Sequence, residues 1–266
     1  MYPGTRYNAH VTAHRLASTL TRFYRQARRT ARRHWQGLSV TFRGNRVPRR
    51  VDFQRGVPRP ILLLQGFGST RRSLTMLEKR LRADGFEVFS FRLGGLFGTL
   101  NTRGIDRIAR DVLAKIESLR ARYHLGKIAV VGHSKGGLVG RYLVSCLGGS
   151  AHIDALITLG TPHQGLPYQQ LARLTRWGLA MPSVRQMRPT SRFFRRLRES
   201  QLPASVRCIS IHSADDHVIP TPLAHWGDDH GAHQPLNIEL AGISHTDYLI
   251  KSRVYEVIRE QLKNRA

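Results

Sequence analysis

The stretch that decides the fold is Ile128-Ala-Val-Val-Gly132-His133-Ser134-Lys135-Gly136-Gly137-Leu138, which carries Gly-x-Ser-x-Gly between an apolar strand and a helix. The motif is informative only in that context, where a tight strand-to-helix turn lifts the serine hydroxyl above a sheet. Residues flanking such a turn must be small, and Gly132 and Gly136 are. A helix N-terminus beside the serine also favours developing negative charge. The stretch therefore predicts Ser134 as a nucleophile.

Strand and helix patterns alternate on both sides of this stretch. The predicted strands are Ile61–Gln65, Phe86–Phe91, Lys127–Val131, Ile153–Leu159, Val206–His212 and Leu236–Leu240. The predicted helices are Arg71–Ala83, Ile105–Tyr123, Gly136–Leu147 and Asp247–Leu262. This alternation is typical of the α/β class, with a mostly parallel central sheet flanked by helices. Residues 163–204 interrupt it and are predicted to form a helical cap.

A serine nucleophile requires a histidine base and an acid that orients it. After a strand-to-helix elbow these follow in the order serine, acid, histidine, in loops at the carboxyl ends of later strands. Asp215 and Asp216 both follow the strand Val206–His212, and His245 follows the strand Leu236–Leu240. The order along the chain therefore predicts His245 as the base and one of the two aspartates as its partner.

An oxyanion hole needs two backbone N–H donors, one of them from the loop after the first parallel strand. That loop reads Gln65-Gly66-Phe67-Gly68-Ser69, and Gly66 lets the backbone turn close to the nucleophile. We predict the N–H groups of Phe67 and Lys135 as the donors. The Lys135 side chain is expected to point to solvent and to take no part in the chemistry.

Four motifs make residues 60–262 resemble the lipase-like branch of the α/β-hydrolase superfamily. They are Ile61-Leu-Leu-Leu-Gln-Gly-Phe-Gly, the elbow at Val130–Leu138, the turn Thr161-Pro-His163-Gln-Gly165 and the acid loop Asp216-His-Val-Ile-Pro220. The resemblance implies an α/β-hydrolase fold, a serine lipase or esterase without a cofactor, and Asp216 as the acid. Gln65 departs from the family, which usually has histidine there, so the support of the oxyanion loop is in question.

The positive charge of the chain is concentrated at its N-terminal end. The formal net charge is +26, and residues 1–59 contain a single acidic residue, Asp52. We predict residues 1–59 as a basic extension and residues 60–266 as the hydrolase domain. Within the extension, residues 10–36 have the pattern of a basic amphipathic helix, which either binds an anionic membrane or packs its apolar stripe on the domain.

The cap combines apolar and basic side chains. Trp177, Phe193 and Phe194 are predicted to contact an acyl chain, and numerous arginines around them would attract a phosphate or sulfate head group. The alternative is a pair of ordinary amphipathic helices with solvated arginines. Residues 225–233 are rich in histidine and aspartate, but their spacing fits no standard zinc signature, so a solvated loop without metal is expected.

The sequence thus favours a serine hydrolase that cleaves esters of lipids or other apolar acyl substrates. An acyltransferase or thioesterase using the same residues stays open, as does a non-catalytic protein that binds a membrane or an anionic polymer. Nucleic acid is a less favoured partner because no recognition motif accompanies the basic residues. Without a signal peptide or a spanning segment, a cytoplasmic protein with peripheral membrane contact is expected, and the oligomeric state is left open.

Overall fold

A computed structural model of the chain describes residues 59–94, 100–174, 181–227 and 234–264. The predicted amphipathic helix at residues 10–36 and the predicted substrate contact Trp177 lie outside these residues. Most of the histidine- and aspartate-rich loop, residues 228–233, also lies outside them.

The described residues form a six-stranded sheet in which every neighbouring pair of strands is parallel. The strand order is β2-β1-β3-β4-β5-β6, which places β3, the strand before Ser134, inside the sheet. The strands are β1 (Ile61–Leu64), β2 (Val88–Ser90), β3 (Ile128–His133), β4 (Ile153–Leu159), β5 (Arg207–His212) and β6 (Leu236–Glu239). The strand β1 is a continuous apolar run, and nearly all residues of β3 and β4 are buried, because a parallel sheet is covered on both faces.

Helices occupy the connections between the strands, as the alternating pattern predicts. They are α1 (Thr75–Ala83), α2 (Ile105–Tyr123), α3 (Lys135–Cys146), α4 (Tyr168–Leu174), α5 (Pro182–Gln186), α6 (Arg192–Glu199), α7 (Thr221–Ala224) and α8 (Ser252–Lys263). Two predicted helices begin as short 3-10 helices, at Arg71–Leu74 and Asp247–Leu249. In the second case the α-helix restarts only at Ser252, so the predicted helix Asp247–Leu262 is two elements.

Alternate residues of the strands face two separate hydrophobic cores. Leu62 and Leu64 of β1 belong to the core that includes α2 and α3, whereas Ile61 and Leu63 belong to the core that includes α1 and α8. Helices therefore cover both faces of the sheet, which confirms the predicted α/β architecture.

The insert after β4 packs into the first of these cores. Leu171, Val184 and Leu197, one from each of α4, α5 and α6, are buried there together with residues of α3. Burial of a leucine or valine side chain contributes roughly 1.5–3 kcal/mol. The apolar stripe of the insert is thus used to attach it to the domain.

The described residues include no helix that is both long enough and apolar enough to cross a bilayer. Both cysteines are free thiols, with Cys208 buried and Cys146 half-buried.

Candidate active site

Ser134 sits at the turn between β3 and α3 in a backbone conformation that side chains rarely adopt. Its φ is +53° and its ψ is −122°. Such strain costs about 1–3 kcal/mol and persists only where the surroundings enforce it. Here the Ser134 N–H donates to the carbonyl of Leu159 at 2.8 Å, and the Thr161 hydroxyl donates to the Ser134 carbonyl at 3.0 Å. The end of β4 and the turn that follows it therefore hold the elbow from both sides.

The glycines of the elbow allow α3 to approach the sheet more closely than any side chain would permit. A Cβ added at Gly136 would lie 2.3 Å from the carbonyl oxygen of Leu64, and one added at Gly137 would lie 2.0 Å from Thr161 Oγ1. Since real Cβ atoms do not approach other atoms so closely, a side chain at Gly136 would collide with backbone, and one at Gly137 would displace the Thr161 side chain. The close contact brings the N-terminus of α3 next to the end of β1.

Asp216 and His245 are in direct contact, although 29 positions separate them in the chain. His245 Nδ1 lies 2.8 Å from Asp216 Oδ2, and the aspartate is fully buried. The other carboxylate oxygen, Oδ1, accepts hydrogen bonds from the N–H groups of Val218 and Ile219, each at 2.9 Å. These bonds fix the orientation of the carboxylate, which in turn orients the imidazole.

His133 connects the His245 loop to the elbow. Its Nε2 donates to the carbonyl oxygen of His245 at 2.9 Å, and the two imidazole rings lie 4.7 Å apart between centroids. Burial lowers the pKa of His133 to about 3, with the neighbouring His245 contributing in the same direction, so this ring is neutral at physiological pH. The structure thus brings His245 against the residue preceding Ser134. Within the described residues, Ser134 Oγ and His245 do not form a hydrogen bond to each other.

The predicted oxyanion donors lie in two segments that meet at the elbow. A Cβ added at Gly66 would lie 3.2 Å from the Ser134 Cβ, so the loop of residues 65–69, called the oxyanion loop below, runs beside the serine. Lys135 is the first residue of α3. In the part of the chain that the structure describes, neither the Phe67 N–H nor the Lys135 N–H has a hydrogen-bond acceptor. Both amides are therefore available to an incoming oxygen.

The expectation that the Lys135 side chain points to solvent is wrong. The side chain is fully buried, and its Nζ donates to Asn101 Oδ1 at 2.9 Å, to the Asn101 carbonyl at 3.1 Å and to the Arg103 carbonyl at 2.7 Å. Burial, with a smaller contribution from the charge of Arg103, lowers the pKa of this lysine to about 7. At the start of α3 the side chain meets the loop before α2 rather than solvent.

Asn101 supports the oxyanion loop. That support was in question because this chain has Gln65 where related lipases usually have histidine. The Asn101 Nδ2 donates to the Gln65 carbonyl at 2.8 Å. The Gln65 side chain is also fully buried, but its amide atoms have no hydrogen-bond partner within the described residues. The backbone of Gln65, rather than its side chain, is thus the anchored part of this residue.

The turn Thr161–Gly165 is held by side chains whose role the sequence did not reveal. The Thr158 hydroxyl donates to the Ile209 carbonyl at 3.1 Å and accepts a bond from His163 Nε2 at 2.8 Å. Arg141 donates to the His163 carbonyl at 2.9 Å, and the Trp226 ring stacks on the His163 ring at 3.9 Å. The turn is therefore fixed to α3, β4 and the segment after α7.

The two described aromatic residues of the predicted substrate set differ in their surroundings. Phe193 stacks on Tyr142 of α3 at 5.2 Å and lines a cleft of about 380 Å³ with arginines 185, 192 and 196 on its walls. Phe194 is almost completely buried in the hydrophobic core. It would contact a substrate only if the insert moved, so its predicted role stays a prediction. Among the described residues, no group of three or more histidine, cysteine or carboxylate side chains could hold a metal.

Comparison with solved structures defines the class of this fold. The chain is similar to the mature lipase BlEst2 of Bacillus licheniformis, with a TM-score of 0.64 and 12% identity over 80% of this chain and 95% of that one. It is also similar to the monoacylglycerol lipase of Paleococcus ferrophilus, with a TM-score of 0.55 and 14% identity over 77% of this chain and 95% of that one. The fold is that of the α/β-hydrolases, as predicted.

Sequence comparison identifies the family within this class. The sequence model of the palmitoyl protein thioesterase family matches residues 60–202, and the chain belongs to that family. Among curated proteins, the triacylglycerol lipases of Pseudarthrobacter phenanthrenivorans and Burkholderia plantarii are each 25% identical over 112 residues. That alignment covers 40% of this chain and 34% and 30% of the two lipases, so the chain spans about a third of the length of these relatives.

Proposed function

We propose that the chain is a serine hydrolase that cleaves carboxylic esters of lipids or other apolar acyl substrates. The observation that carries this proposal is the 2.8 Å contact between His245 Nδ1 and the buried carboxylate of Asp216. The carbonyl of His245 also accepts a hydrogen bond from His133, the residue before Ser134. A buried carboxylate that orients an imidazole beside a strained serine is the arrangement that nucleophilic acyl transfer requires.

In the proposed mechanism each side chain has a defined task. Asp216 accepts the Nδ1–H of His245, which leaves Nε2 as the proton acceptor. His245 takes the Ser134 hydroxyl proton as Oγ bonds to the carbonyl carbon, and the carbonyl oxygen becomes an oxyanion held by the Phe67 and Lys135 N–H groups. Collapse of this intermediate breaks the ester bond, and His245 returns the proton to the leaving alcohol. Water then hydrolyses the acyl-enzyme by the same steps. The bond between Ser134 and His245 would form as substrate binds, since such bonds are often long in free enzymes.

A thioester substrate is the second candidate, and the family match favours it. The same residues would cleave a thioester, because the attacked group is again an acyl carbonyl and only the leaving atom differs. Acyl transfer to an alcohol would likewise share the acyl-enzyme and differ only in the acceptor. The leading proposal keeps the oxygen ester because both curated relatives are named as triacylglycerol lipases.

The decisive experiment compares matched oxygen esters and thioesters over acyl chains from short to long. Wild type, Ser134→Ala and a control, Ser145→Ala on the same helix, would be assayed in parallel. We expect turnover that rises with acyl length, falls by at least about 10³-fold in Ser134→Ala and is unchanged in the control. Full activity of Ser134→Ala would overturn the proposal, and a consistent preference for thioesters would establish the second candidate.

We also propose that anionic esters are preferred. The cleft beside Tyr142 is lined by the exposed Arg185, Arg192 and Arg196, and the described residues include no carboxylate paired with any of the three. Asp106 also lines the cleft, and its carboxylate is paired with Arg110 at 2.8 Å. Tyr142 is eight residues after Ser134, about 12 Å along α3. A substrate could span this distance with its head group in the cleft and its ester carbonyl at Ser134. Turnover of anionic and neutral esters with equal acyl chains would be compared at low salt. Equal rates would refute the preference, and Arg192→Gln with Arg196→Gln should remove it.

The basic extension, residues 1–59, is proposed to bring the enzyme to an anionic membrane from the cytoplasm. Its charge would attract acidic head groups, and the apolar stripe predicted for residues 10–36 would enter the interface. The full chain and a chain lacking residues 1–59 would be compared for binding to neutral and anionic vesicles. We expect binding of the full chain to anionic vesicles alone, and equal affinity of the two chains would remove the anchor.

A further inference from the structure

We infer that Lys135 is a positioning residue whose side chain holds the oxyanion loop in place while its own backbone N–H serves as the second donor. The inference rests on the proposed function and extends it to a side chain that was expected to take no part in the chemistry. One residue would then determine the position of both halves of the oxyanion hole, because Phe67 lies in that loop.

The ammonium group of Lys135 is fully satisfied by the segment before α2. An ammonium has three N–H donors, and Nζ has three acceptors, namely Asn101 Oδ1, the Asn101 carbonyl and the Arg103 carbonyl. In the described part of the chain no carboxylate contacts this charge. Burial of a charge that has no opposite charge beside it carries a large desolvation cost, which the three hydrogen-bond acceptors partly offset. A surface-exposed lysine would not need so specific a set of acceptors.

Asn101 transmits this contact to the oxyanion loop. Its Nδ2 donates to the Gln65 carbonyl at 2.8 Å, its N–H donates to the Ser69 carbonyl at 3.2 Å, and its carbonyl accepts from the Gly68 N–H at 3.2 Å. All four polar groups of this buried residue therefore join Lys135 to the two ends of the loop that contains Phe67. Without the lysine, Asn101 Oδ1 would lose its partner, and the side chain would be held only by the Nδ2 bond to the Gln65 carbonyl.

The charge of Lys135 makes the arrangement sensitive to pH. Burial lowers its pKa to about 7, and Arg103, itself paired with Asp111 at 2.7 Å, is the charged group that acts on it within the described residues. A neutral amine has two N–H donors, so deprotonation releases one of the three acceptors. The contribution of Lys135 to turnover should therefore be present below this pKa and lost as the pH rises through it.

The test compares Lys135→Met, Asn101→Ala and the double variant with a control, Lys127→Met. Lys127 also donates to a backbone carbonyl, that of Ser150, but away from the site. We expect kcat for a short p-nitrophenyl ester to fall about 10- to 100-fold in Lys135→Met with KM nearly unchanged, since an oxyanion donor acts in the transition state. Asn101→Ala should share the defect, and the double variant should add little, as for residues that act as a unit. If the kcat of Lys135→Met equalled that of the control Lys127→Met, the inference would be overturned.

Two further measurements separate positioning from general damage. The fall in wild-type kcat as the pH rises through about 7 should be absent from Lys135→Met; if it persists there, or if wild type lacks it, the role of the charge is refuted. Amide hydrogen exchange in peptides covering residues 65–69 should be faster in Lys135→Met and Asn101→Ala, and unchanged in Lys127→Met and Ser134→Ala. The exchange needs no catalysis, so it decides the positioning role even if the proposed hydrolysis fails. Unchanged exchange in both loop variants would refute that role.

Discussion

Replacement of Asp216 by asparagine tests whether the buried carboxylate orients His245 as the proposed mechanism requires. The Val218 and Ile219 N–H groups, both 2.9 Å from Oδ1, require an acceptor at that position. The amide oxygen of the asparagine would therefore occupy it, and the NH₂ group would face His245 Nδ1. An NH₂ group donates, so the imidazole would have to carry its proton on Nε2 instead of Nδ1. In that tautomer His245 cannot accept the proton of Ser134.

The expected loss follows from this change of tautomer. Removing the orienting carboxylate from a serine triad lowers kcat by about 10⁴-fold, equivalent to about 5 kcal/mol of transition-state stabilisation. The assay is the steady-state hydrolysis of a p-nitrophenyl ester. Asp215→Asn is the matched control: Asp215 is the adjacent carboxylate, and its Oδ2 accepts a 2.6 Å bond from the Gly242 N–H rather than from an imidazole. A large loss in the control with near-normal activity in Asp216→Asn would show that the wrong aspartate has been assigned.

The remaining predictions concern stability and thiol reactivity. Gly137→Ala should lower the free energy of unfolding by about 1–3 kcal/mol in urea titrations, because the new Cβ would lie 2.0 Å from Thr161 Oγ1 and displace the hydroxyl that bonds to Ser134; unchanged stability would contradict the close packing. Burial raises the pKa of Cys208 to about 12, so this thiol should react with a disulfide reagent only after unfolding, and rapid reaction of the native protein would contradict its burial. The pKa of His133 falls from 6.5 in the unfolded chain to about 3 in the folded one, so between these values the unfolded state binds one more proton. The free energy of unfolding should therefore decrease as the pH falls through this range, by at most about 1.4 kcal/mol per pH unit. His133→Gln should show a weaker dependence on pH.

The order of strands and helices could be read from the sequence because its local patterns are strong. Ile105, Ile108, Val112 and Ile116 recur at helical spacing and are buried along α2. The strand before Ser134 begins with an apolar run, whereas apolar and polar residues alternate in the strands before Asp216 and His245. The contact between Asp216 and His245 depends on the topology of the sheet rather than on local sequence. The order serine, acid, histidine along the chain was nevertheless sufficient to select these two side chains as candidates.

The environment of long polar side chains could not be read in this way. Lys135 follows a serine and precedes two glycines, a context that says nothing about Asn101, 34 positions earlier. Its burial depends on where the segment before α2 passes, which local periodicity does not encode. Arg141 and Trp226 were missed for the same reason, since both act on His163 from distant parts of the chain. The core packing of Phe194 likewise depends on distant parts of the chain, and its predicted contact with substrate stays a prediction.

The attachment of the Thr161–Gly165 turn limits which positions of the insert could vary. Its first residue bonds to the Ser134 carbonyl, and its third residue is fixed by Arg141 of α3. The root of the cap is therefore part of the same rigid unit as the nucleophile. Beyond that root, Leu171, Val184 and Leu197 still pack into the core beside α3, whereas exposed residues such as Arg192 and Arg195 do not. Exposed positions of α6 could therefore vary without disturbing the core that supports the elbow, and libraries aimed at the proposed substrate preference would be confined to such positions.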